Sequence, residues 1–307
     1  MSDKTRPVSR TTLRQHDARV GAGLVAPTVL IVCLVLLVPL LWAISIAFQD
    51  IRLINIRYAG FFGRYTLDNF VEVLEAPGFW TALRTTVYYT FGATTGSILV
   101  GLIAALAVRR PFPGRTIVRG LILLPYVAPV VAVAFVWTTM LNPQFGVVND
   151  WGTRFLGWSE AIPFLSQRST ALLTVIVFEI WRYYPFAFLF LMARLQAVPK
   201  DTEEAAHVDG ATPLQSFRYV LLPQLLPTMA VLFVLRLIFT FSKFDDVYLL
   251  TGGGSGTEVV SVRVYELLTS RKDVSAACAQ AVILAIVLVI FLVIQRQATR
   301  RWNGDAQ

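Results

Sequence analysis

The sequence PKDTEEAAHVDGATPLQSFRYVLLPQLLP, residues 199–227, is a polar stretch next to long apolar blocks, and it decides how the chain is organised. Asp201 and Glu204 are three residues apart and match a capping box at the start of a helix. Acidic residues in a first turn also suit the positive end of the helix dipole. Gly210 is the residue type that ends a helix in the left-handed conformation. The pattern therefore predicts a short helix between Asp201 and Gly210.

A second short helix is predicted in the same stretch. Thr212 is a good N-cap, and Pro213 suits the first helical position, where its missing N–H costs nothing. This helix is expected to stop before Pro223. Residues 200–223 thus predict a rigid elbow of two helices, which another protein could grip. A hairpin that lies on a surface and has no partner is the simpler alternative.

The apolar composition indicates the class of protein. Apolar residues make up 56% of the 307 residues, and the mean hydropathy is +0.63. They come in long blocks, which no soluble domain needs. Each block reaches the roughly 20 residues that cross the hydrocarbon core of a bilayer. We predict an all-α, polytopic integral membrane protein with six transmembrane helices at 22–48, 83–108, 116–141, 170–195, 221–243 and 277–295.

The positive charges predict the orientation of the chain in the membrane. The net charge of +8 is spread over short loops instead of forming a basic face, which argues against nucleic acid as a partner. With the N-terminus inside, the inner segments hold more Lys and Arg than the outer ones, although the inner loops are shorter. We therefore expect cytoplasmic tails at 1–20 and 301–307, a membrane domain at 21–300, and the elbow on the cytoplasmic face.

Several kinds of chemistry find no support in the sequence. Cys33 and Cys278 lie in or beside apolar blocks and suggest neither a disulfide framework nor a metal site. His16 and His207 are isolated from each other and are interpreted as ordinary loop residues. There is no G-x-x-x-x-G-K-[ST] segment, so the chain is not expected to hydrolyse ATP by itself. We expect a protein that is not an enzyme and that holds no cofactor of its own.

The fourth block carries charges that do not belong in lipid. Glu179 and Arg182 lie one helical turn apart, and Pro185 removes a backbone hydrogen bond just beyond them. Charges at this depth cost about 2.5–3.5 kcal/mol each, so they should face the protein interior or a wet cavity. Either the two residues form a structural ion pair, or Arg182 contacts a substrate.

The fifth block carries one polar face. Arg236, Thr240 and Lys243 fall at i, i+4 and i+7 and are interleaved with Phe239 and Phe241. Hydrogen-bonding groups beside aromatic rings suit sugars, whose hydroxyls bond while their apolar faces stack. We favour a cavity lined by this face, and polar contacts between packed helices are the alternative.

The elbow resembles the EAA loop of ABC importer permeases. The match consists of Glu204-Ala205-Ala206, Asp209-Gly210-Ala211, Phe217, Val220, Leu222-Pro223 and Pro227. The resemblance implies that this loop is the coupling helix, which docks in a cleft of a separate ATPase. Glu204 and Asp209 would orient and cap it, Ala205 and Ala206 would allow close docking, and Gly210 would let the chain turn sharply.

Two further segments are similar to the sugar-importing, maltose-type branch of these permeases. They are Trp181-Arg182-Tyr183-Tyr184-Pro185-Phe186, and Phe244-Asp245-Asp246-Val247-Tyr248-Leu249-Leu250-Thr251-Gly252-Gly253-Gly254 with Thr257. Ser255 departs from the pattern, which often has proline there. The resemblance implies a maltose-permease-like fold and a sugar or oligosaccharide substrate. It places the substrate site at Arg182, Tyr183, Phe186, Arg236, Thr240 and Lys243.

The resemblance also implies partners. Two ATPase subunits would bind ATP and Mg, an extracytoplasmic solute-binding protein would deliver the sugar, and a second, homologous permease would complete a heterodimer. The complex would lie in a bacterial or archaeal inner membrane, with both ends of this chain in the cytoplasm, and would work by alternating access.

Three alternatives for the function stay open. The cations of the fourth and fifth blocks stand where the maltose-type member is uncharged. They suggest an anionic sugar derivative, such as a sugar acid or a glycerol-phosphate-like polyol. If Glu179, Asp245 and Asp246 neutralise the cations, the site suits a neutral sugar instead. A carrier coupled to ions or protons through Glu179 and Arg182 is the rival class, and a scaffold that transports nothing would leave the cations unexplained.

The outer loops contain aromatic clusters with two possible roles. The loop at about 142–169 carries Trp151, Phe155, Trp158 and Phe164. Aromatic residues near span ends can anchor a protein in the interface, or they can form a docking surface for an external protein. For those closest to the spans we favour anchors.

Overall fold

A computed structural model describes residues 10–304, and within them the chain is built from helices and turns, with an isolated bridge between Arg52 and Asp273. The all-α prediction is confirmed for this part of the chain. Its α-helices are α1 (Arg10–Val32), α2 (Val38–Ala47), α3 (Asp68–Glu75), α4 (Pro77–Ala107), α5 (Arg115–Val127), α6 (Val130–Met140), α7 (Val147–Phe155), α8 (Ala171–Gln196), α9 (Lys200–Val208), α10 (Pro213–Ser216), α11 (Leu222–Phe241), α12 (Asp245–Thr251), α13 (Val260–Thr269) and α14 (Val274–Gly304).

Shorter helical segments complete the described chain: π-helical turns at Cys33–Leu37 and Phe217–Leu221, and a 3-10 helix at Leu53–Tyr58. The predicted tails at 1–20 and 301–307 extend over residues 1–9 and 305–307, which lie outside the described residues. Inside those predicted tails, α1 already begins at Arg10 and α14 continues to Gly304.

Five helices of the described residues are long and apolar enough to cross a membrane, and a bent pair can supply a sixth span. The pair consists of α5 and α6, which meet at an angle of 94°. The prediction of six spans therefore holds if this pair counts as one. The five straight candidates are Gly23–Ala47, Pro77–Ala107, Ala171–Gln196, Pro213–Phe241 and Val274–Gln295.

The third predicted span, 116–141, is not one continuous helix. It breaks at Ala128, whose backbone is extended at φ −64° and ψ 140°. Pro129 explains the break, because a proline disfavours the helical conformation in the residue before it and has no N–H to donate. Apolar composition alone does not reveal such a bend. The break leaves Tyr126 close to the bend.

The expectation that the second elbow helix stops before Pro223 is wrong. The helix passes through a π-helical turn, in which the Leu222 N–H donates to the Phe217 carbonyl, and continues as α11. Pro223 directly follows this π-helical turn, so the helix absorbs the missing N–H of the proline within an irregular turn instead of ending there. The second arm of the elbow is thus continuous with the fifth span.

The centre of the fold is the pair formed by α4 and α8, which make the most extensive helix contact of the described chain. Gly101 allows the closest approach, since a Cβ added there would lie 2.7 Å from the Ala187 Cβ and 2.9 Å from the Tyr184 carbonyl oxygen. Gly92 lies against Ile176 of the same partner helix. These glycines let α4 and α8 pack closely. Around this pair, α11 packs against both helices, and α14 packs against α2, α3 and α13.

Candidate functional site

The first helix of the elbow begins two residues earlier than the sequence predicts. Helix α9 starts at Lys200, with Pro199 in the N-cap position and extended at φ −60° and ψ 131°. Asp201 is therefore not the N-cap but lies in the first turn, where its charge still suits the helix dipole. The predicted capping box with Glu204 does not form. The reason is that a proline extended at the N-cap already sets the entry into the helix.

The end of α9 is a Schellman motif. Gly210 has φ +79°, the left-handed conformation that the sequence predicts. The Ala211 N–H donates to the Ala206 carbonyl at 2.9 Å, and the Gly210 N–H donates to the His207 carbonyl at 3.0 Å. These are the two bonds that define the motif, and they satisfy carbonyls that the helix end leaves free.

The start of α10 agrees with the prediction. The Gln215 N–H donates to Thr212 Oγ1 at 3.4 Å, and the Thr212 N–H donates to Gln215 Oε1 at 2.8 Å. This reciprocal pair is a capping box, with Pro213 at the first helical position. The turn between α9 and α10 is thus held by bonds at both of its ends.

The outer face of the elbow is not covered by any other segment that the structure describes. Glu204, Ala205, Asp209 and Gly210 are exposed, and Ala206 is half-buried. Two large apolar side chains stand beside them, Val208 at 87% exposure and Leu214 at 73%. Apolar side chains exposed on a polar, well-capped turn are typical of a surface that another protein covers.

The elbow is tied to the short basic turn after α4, a contact that the sequence analysis did not anticipate. Arg109 Nη1 donates to Glu203 Oε2 at 2.8 Å, and the two side chains form a half-buried ion pair. Partial burial, with a smaller effect from Arg110, lowers the pKa of Arg109, which nevertheless stays charged at neutral pH. In the sequence, only the opposite charges of two segments that lie far apart in the chain could have suggested this pair.

A cavity of about 300 Å³ lies between α5, α8 and α11. Four of the six predicted substrate residues line it, whereas Arg182 and Thr240 do not. Two lining residues, Tyr126 and Phe239, were not predicted. Phe239 lies three residues after Arg236 and four before Lys243, so helical spacing could have identified it. The lining is Tyr126, Tyr183, Phe186, Arg236, Phe239 and Lys243.

Three cationic side chains lie near the ring of Tyr183. The Arg236 guanidinium carbon lies 4.3 Å from its ring centroid, and Lys243 Nζ lies 4.6 Å away. Arg182 is the third cation, at 5.5 Å. Lys243 Nζ also donates to the Tyr183 hydroxyl at 2.5 Å. All three distances are within the range of cation–π attraction.

The partner of Glu179 is Arg236 and not Arg182. Arg236 Nη2 lies 2.8 Å from Glu179 Oε1, and the two side chains are 3% and 0% exposed. Thr240 Oγ1 lies 3.5 Å from the same carboxylate oxygen, so Thr240 supports the ion pair instead of facing the cavity. The same-helix pair with Arg182 is therefore not formed, because α11 places a guanidinium directly against α8.

Arg182 is left with an unusual environment. It is buried, and its Nε and Nη1 atoms have no hydrogen-bond partner among the described residues. Buried donors without a partner are costly, so these two nitrogens of Arg182 are available to bind an acceptor group. Arg182 lies on α8, one residue before Tyr183, which lines the cavity.

The carboxylates after α11 face Lys243. Its Nζ lies 3.2 Å from Asp245 Oδ1 and 3.6 Å from Asp246 Oδ2. Asp246 is fully buried, and neither of its carboxylate oxygens has a hydrogen-bond partner among the described residues. Both cations that line the cavity are thus opposed by carboxylates of this chain. Within residues 10–304 no group of three or more His, Cys, Asp or Glu residues could hold a metal ion.

Comparison with known proteins gives consistent matches. Residues 97–303 match the family model described as "binding-protein-dependent transport system inner membrane component". The inner membrane ABC transporter permease protein YcjO of Escherichia coli K12 is 34% identical over 283 residues, 92% of this chain and 94% of that protein. The trehalose/maltose transport system permease protein MalF of Thermococcus litoralis is 32% identical, over 81% of this chain and 83% of that protein.

A solved structure has the same fold. It is a chain of a bacterial ABC transporter involved in the import of the acidic polysaccharide alginate. The two chains superimpose with a TM-score of 0.81 at 22% identity, over 95% of this chain and 99% of that one.

Proposed function

This chain belongs to the family of binding-protein-dependent transport system inner membrane components, and from that membership we propose that it is the permease subunit of an importer for a sugar or oligosaccharide. The family consists of membrane subunits of ABC transporters, which are not enzymes. The fold is that of an ABC importer permease. The sugar class rests on the transport systems to which relatives such as the trehalose/maltose permease belong.

The observation that carries the proposal is the exposed apolar elbow. Gly210 and the two caps hold α9 and α10 at a defined angle, and Val208 and Leu214 point away from the chain. Because α10 continues into α11, a push on the elbow is transmitted directly to the fifth span. A separate ATPase moves the helices through a surface of the elbow, which consists of Glu204, Ala205, Ala206, Asp209 and Gly210.

The proposed assembly contains further subunits. Two ATPase subunits bind ATP and Mg on the cytoplasmic side, and an extracytoplasmic solute-binding protein delivers the substrate. A second, different permease closes the pathway, because one six-span unit encloses only half of it. Both ends of this chain lie in the cytoplasm, consistent with the excess of Lys and Arg in the inner segments. The tails at 1–20 and 301–307 flank the membrane domain at 21–300.

The cavity is the proposed substrate site, reached by alternating access. Tyr126, Tyr183, Phe186 and Phe239 offer ring faces, and Arg236 and Lys243 offer donors, a combination that suits sugar hydroxyls and apolar ring faces. Because Arg236 pairs with Glu179 and Lys243 faces two aspartates, the site favours a neutral sugar. Arg182 and Thr240 act behind this lining, Thr240 by supporting the ion pair.

One observation favours a second candidate, an anionic sugar derivative. Two buried guanidinium nitrogens of Arg182, Nε and Nη1, have no acceptor among the described residues, and a substrate that carries a carboxylate or phosphate would offset that cost. The two candidates share the site and the mechanism and differ in the role of Arg182.

The experiment that tests the proposal is uptake by the reconstituted complex. The chain is co-purified with its ATPase subunits, placed in liposomes, and supplied with the binding protein and labelled sugar. We expect uptake that requires ATP and is blocked by vanadate. Uptake that collapses with an uncoupler and ignores ATP depletion would identify an ion-coupled carrier and refute the proposal. The matched control is the Walker A Lys→Ala variant of the ATPase.

A further inference from the structure

Helix α7 carries an exposed apolar stripe on the side of the molecule opposite to the elbow. Val147, Trp151 and Phe155 are spaced four residues apart, so they lie on one face of the helix. Trp151 is 63% exposed and Phe155 is 76% exposed. The exposed ion pair between Asp150 and Arg154, at 2.7 Å, borders the stripe. The helix is thus strongly amphipathic, and no other part of residues 10–304 covers its apolar face.

The orientation of α7 is fixed by its opposite face. Asn149 is buried and donates to the Ile162 carbonyl at 3.0 Å, and the Ile162 N–H donates to Asn149 Oδ1 at 2.7 Å. Asn149 also donates to the carbonyl of Leu141, the residue after α6. Gly152 lies so close to Trp158 that a Cβ added there would be 2.0 Å from its ring. The stripe therefore cannot turn inward without breaking these contacts.

The position of α7 places the stripe beside the apolar surface of the third span. The turn from α6 is short and tight, with the Gly146 N–H donating to the Asn142 carbonyl at 2.9 Å. Helix α6 exposes Phe135 and Val136, and Phe145 of the turn is also exposed. The exposed apolar surface thus continues along the chain from the span through the turn to α7, and a spanning helix meets hydrocarbon wherever no protein covers it.

We propose that α7 lies in the membrane interface, with Trp151 and Phe155 inserted between the lipids of the leaflet opposite to the elbow. An amphipathic helix with a Trp and a Phe on its apolar face and a charged border has the features of a helix that lies in the membrane interface. Trp is also the residue type that concentrates at the boundary between headgroups and acyl chains. The lipid contact would anchor the outer end of the α6–α8 connection while the spans move.

The test is fluorescence quenching with the full chain in liposomes of phosphatidylcholine and phosphatidylglycerol. A bimane label is attached at Trp151→Cys in a Cys33→Ser/Cys278→Ala background. The matched control is Asp150→Cys, the neighbouring position at the charged border. We expect doxyl-labelled lipid to quench the label at 151 about threefold or more better than at 150, and aqueous iodide to show the reverse order.

Two results would overturn the inference. One is equal iodide quenching at 151 and 150, which would mean that the stripe faces water. The other is a label at 151 that becomes protected only when the solute-binding protein is added, which would make α7 a protein docking surface. If Trp151→Cys does not fold, Phe155→Cys supplies the same comparison. Neither outcome depends on ATP-driven uptake, so the inference is tested separately from the proposed function.

Discussion

Tyr183 organises the charges at the centre of the membrane domain. Arg236 and Lys243 lie within 5 Å of its ring, and its hydroxyl accepts a hydrogen bond from Lys243. Cation–π attraction is worth about 2 kcal/mol or more per contact when the charge is desolvated. One aromatic ring therefore positions two donors that line the cavity. This preorganisation is what a substrate site needs, because the donors do not have to move when a ligand arrives.

The buried pair of Glu179 and Arg236 yields the first prediction. Glu179→Gln should lower the free energy of unfolding by about 3–5 kcal/mol, because it leaves a guanidinium buried without a counter-charge. The double variant Glu179→Gln/Arg236→Met should recover most of that loss. Unfolding in a detergent titration with SDS measures both.

The exposed pair on α7 supplies the control. Asp150→Asn should change the free energy of unfolding by about 0–1 kcal/mol, since exposed ion pairs contribute little. If the double variant were as unstable as Glu179→Gln alone, the two residues would not form a coupled pair.

Arg182 yields the second prediction. Arg182→Met should stabilise the purified chain, because it removes two buried guanidinium nitrogens, Nε and Nη1, that have no acceptor among the described residues. If the substrate is anionic, the variant should also lose uptake of that substrate by about tenfold or more, the equivalent of one charge-assisted hydrogen bond. Uptake of labelled neutral and anionic sugars by the same variant distinguishes the two substrate classes. Equal losses for both would eliminate the anionic candidate.

At the scale of elements, the turn between α9 and α10 yields the third prediction. Gly210 has space around it but a φ of +79°, so a substitution there costs backbone strain and not a clash. Gly210→Asp adds a negative charge at the negative end of α9, next to Asp209. We expect it to abolish uptake while membrane insertion stays normal, as measured by transport and by the yield of purified chain.

Gly210→Asn is the matched control. Asn tolerates the left-handed conformation and carries no charge, so this variant should keep most of the uptake. Full transport by Gly210→Asp would show that the elbow tolerates distortion and would contradict its role in coupling.

The contact between α4 and α8 yields the fourth prediction. In Gly101→Ala the new methyl group would meet the backbone of Tyr184 and Phe188, which cannot move independently of α8. We expect the free energy of unfolding to fall by about 1–3 kcal/mol, as for other overpacked cores. The measurement is the same SDS titration.

Gly92→Ala is the comparison within the same helix. The nearest atom to its new methyl group would be Ile176 Cδ1 at 3.3 Å, the end of a flexible side chain. This variant should be as stable as the parent or more so, because Ala is about 1 kcal/mol better than Gly in a helix. The opposite order of the two variants would refute the packing argument.

At the scale of the whole molecule, the orientation in the membrane yields the fifth prediction. A single cysteine at Glu204, on the elbow, should react with an impermeant maleimide only after the cells are opened. A single cysteine at Gln144, in the turn before α7, should react in spheroplasts with the inner membrane intact. Both positions are exposed, so reactivity reports sidedness. Labelling of the elbow from outside would mean that the topology is inverted and that the elbow cannot reach a cytoplasmic ATPase.

The fold as a whole also indicates which helices a force on the elbow would move. The α4–α8 pair is the most buried part of the span set, whereas the first span is largely exposed. The elbow is connected to this centre in two ways, through the continuous helix α10–α11 and through the contact between Arg109 and Glu203. A force on the elbow therefore acts on α11 and α4 together. The cavity lies directly along that path, at Arg236.

Local chemistry explains what the sequence alone determined. The helix ends at Gly210 and Thr212 were predictable because caps depend on residues within one turn of each other. Five spans were predictable, with starts displaced by up to eight residues, because burial in hydrocarbon requires a long apolar segment. The all-α membrane class and the elbow follow from these rules. The helical spacing of Arg236, Thr240 and Lys243 predicted one polar face, but Lys243 lies beyond the end of α11 and Thr240 does not line the cavity.

Tertiary structure decided which of those faces meet. Glu179 is equally able to pair with a cation on its own helix, and only the approach of α11 assigns it to Arg236. The bend at Ala128 brings Tyr126 to the cavity, and the π-helical turn carries the elbow through Pro223 into the fifth span. These features depend on contacts between residues far apart in the chain. Sequence patterns reach only as far as a helical turn, so the charge partners and the cavity wall had to come from the fold.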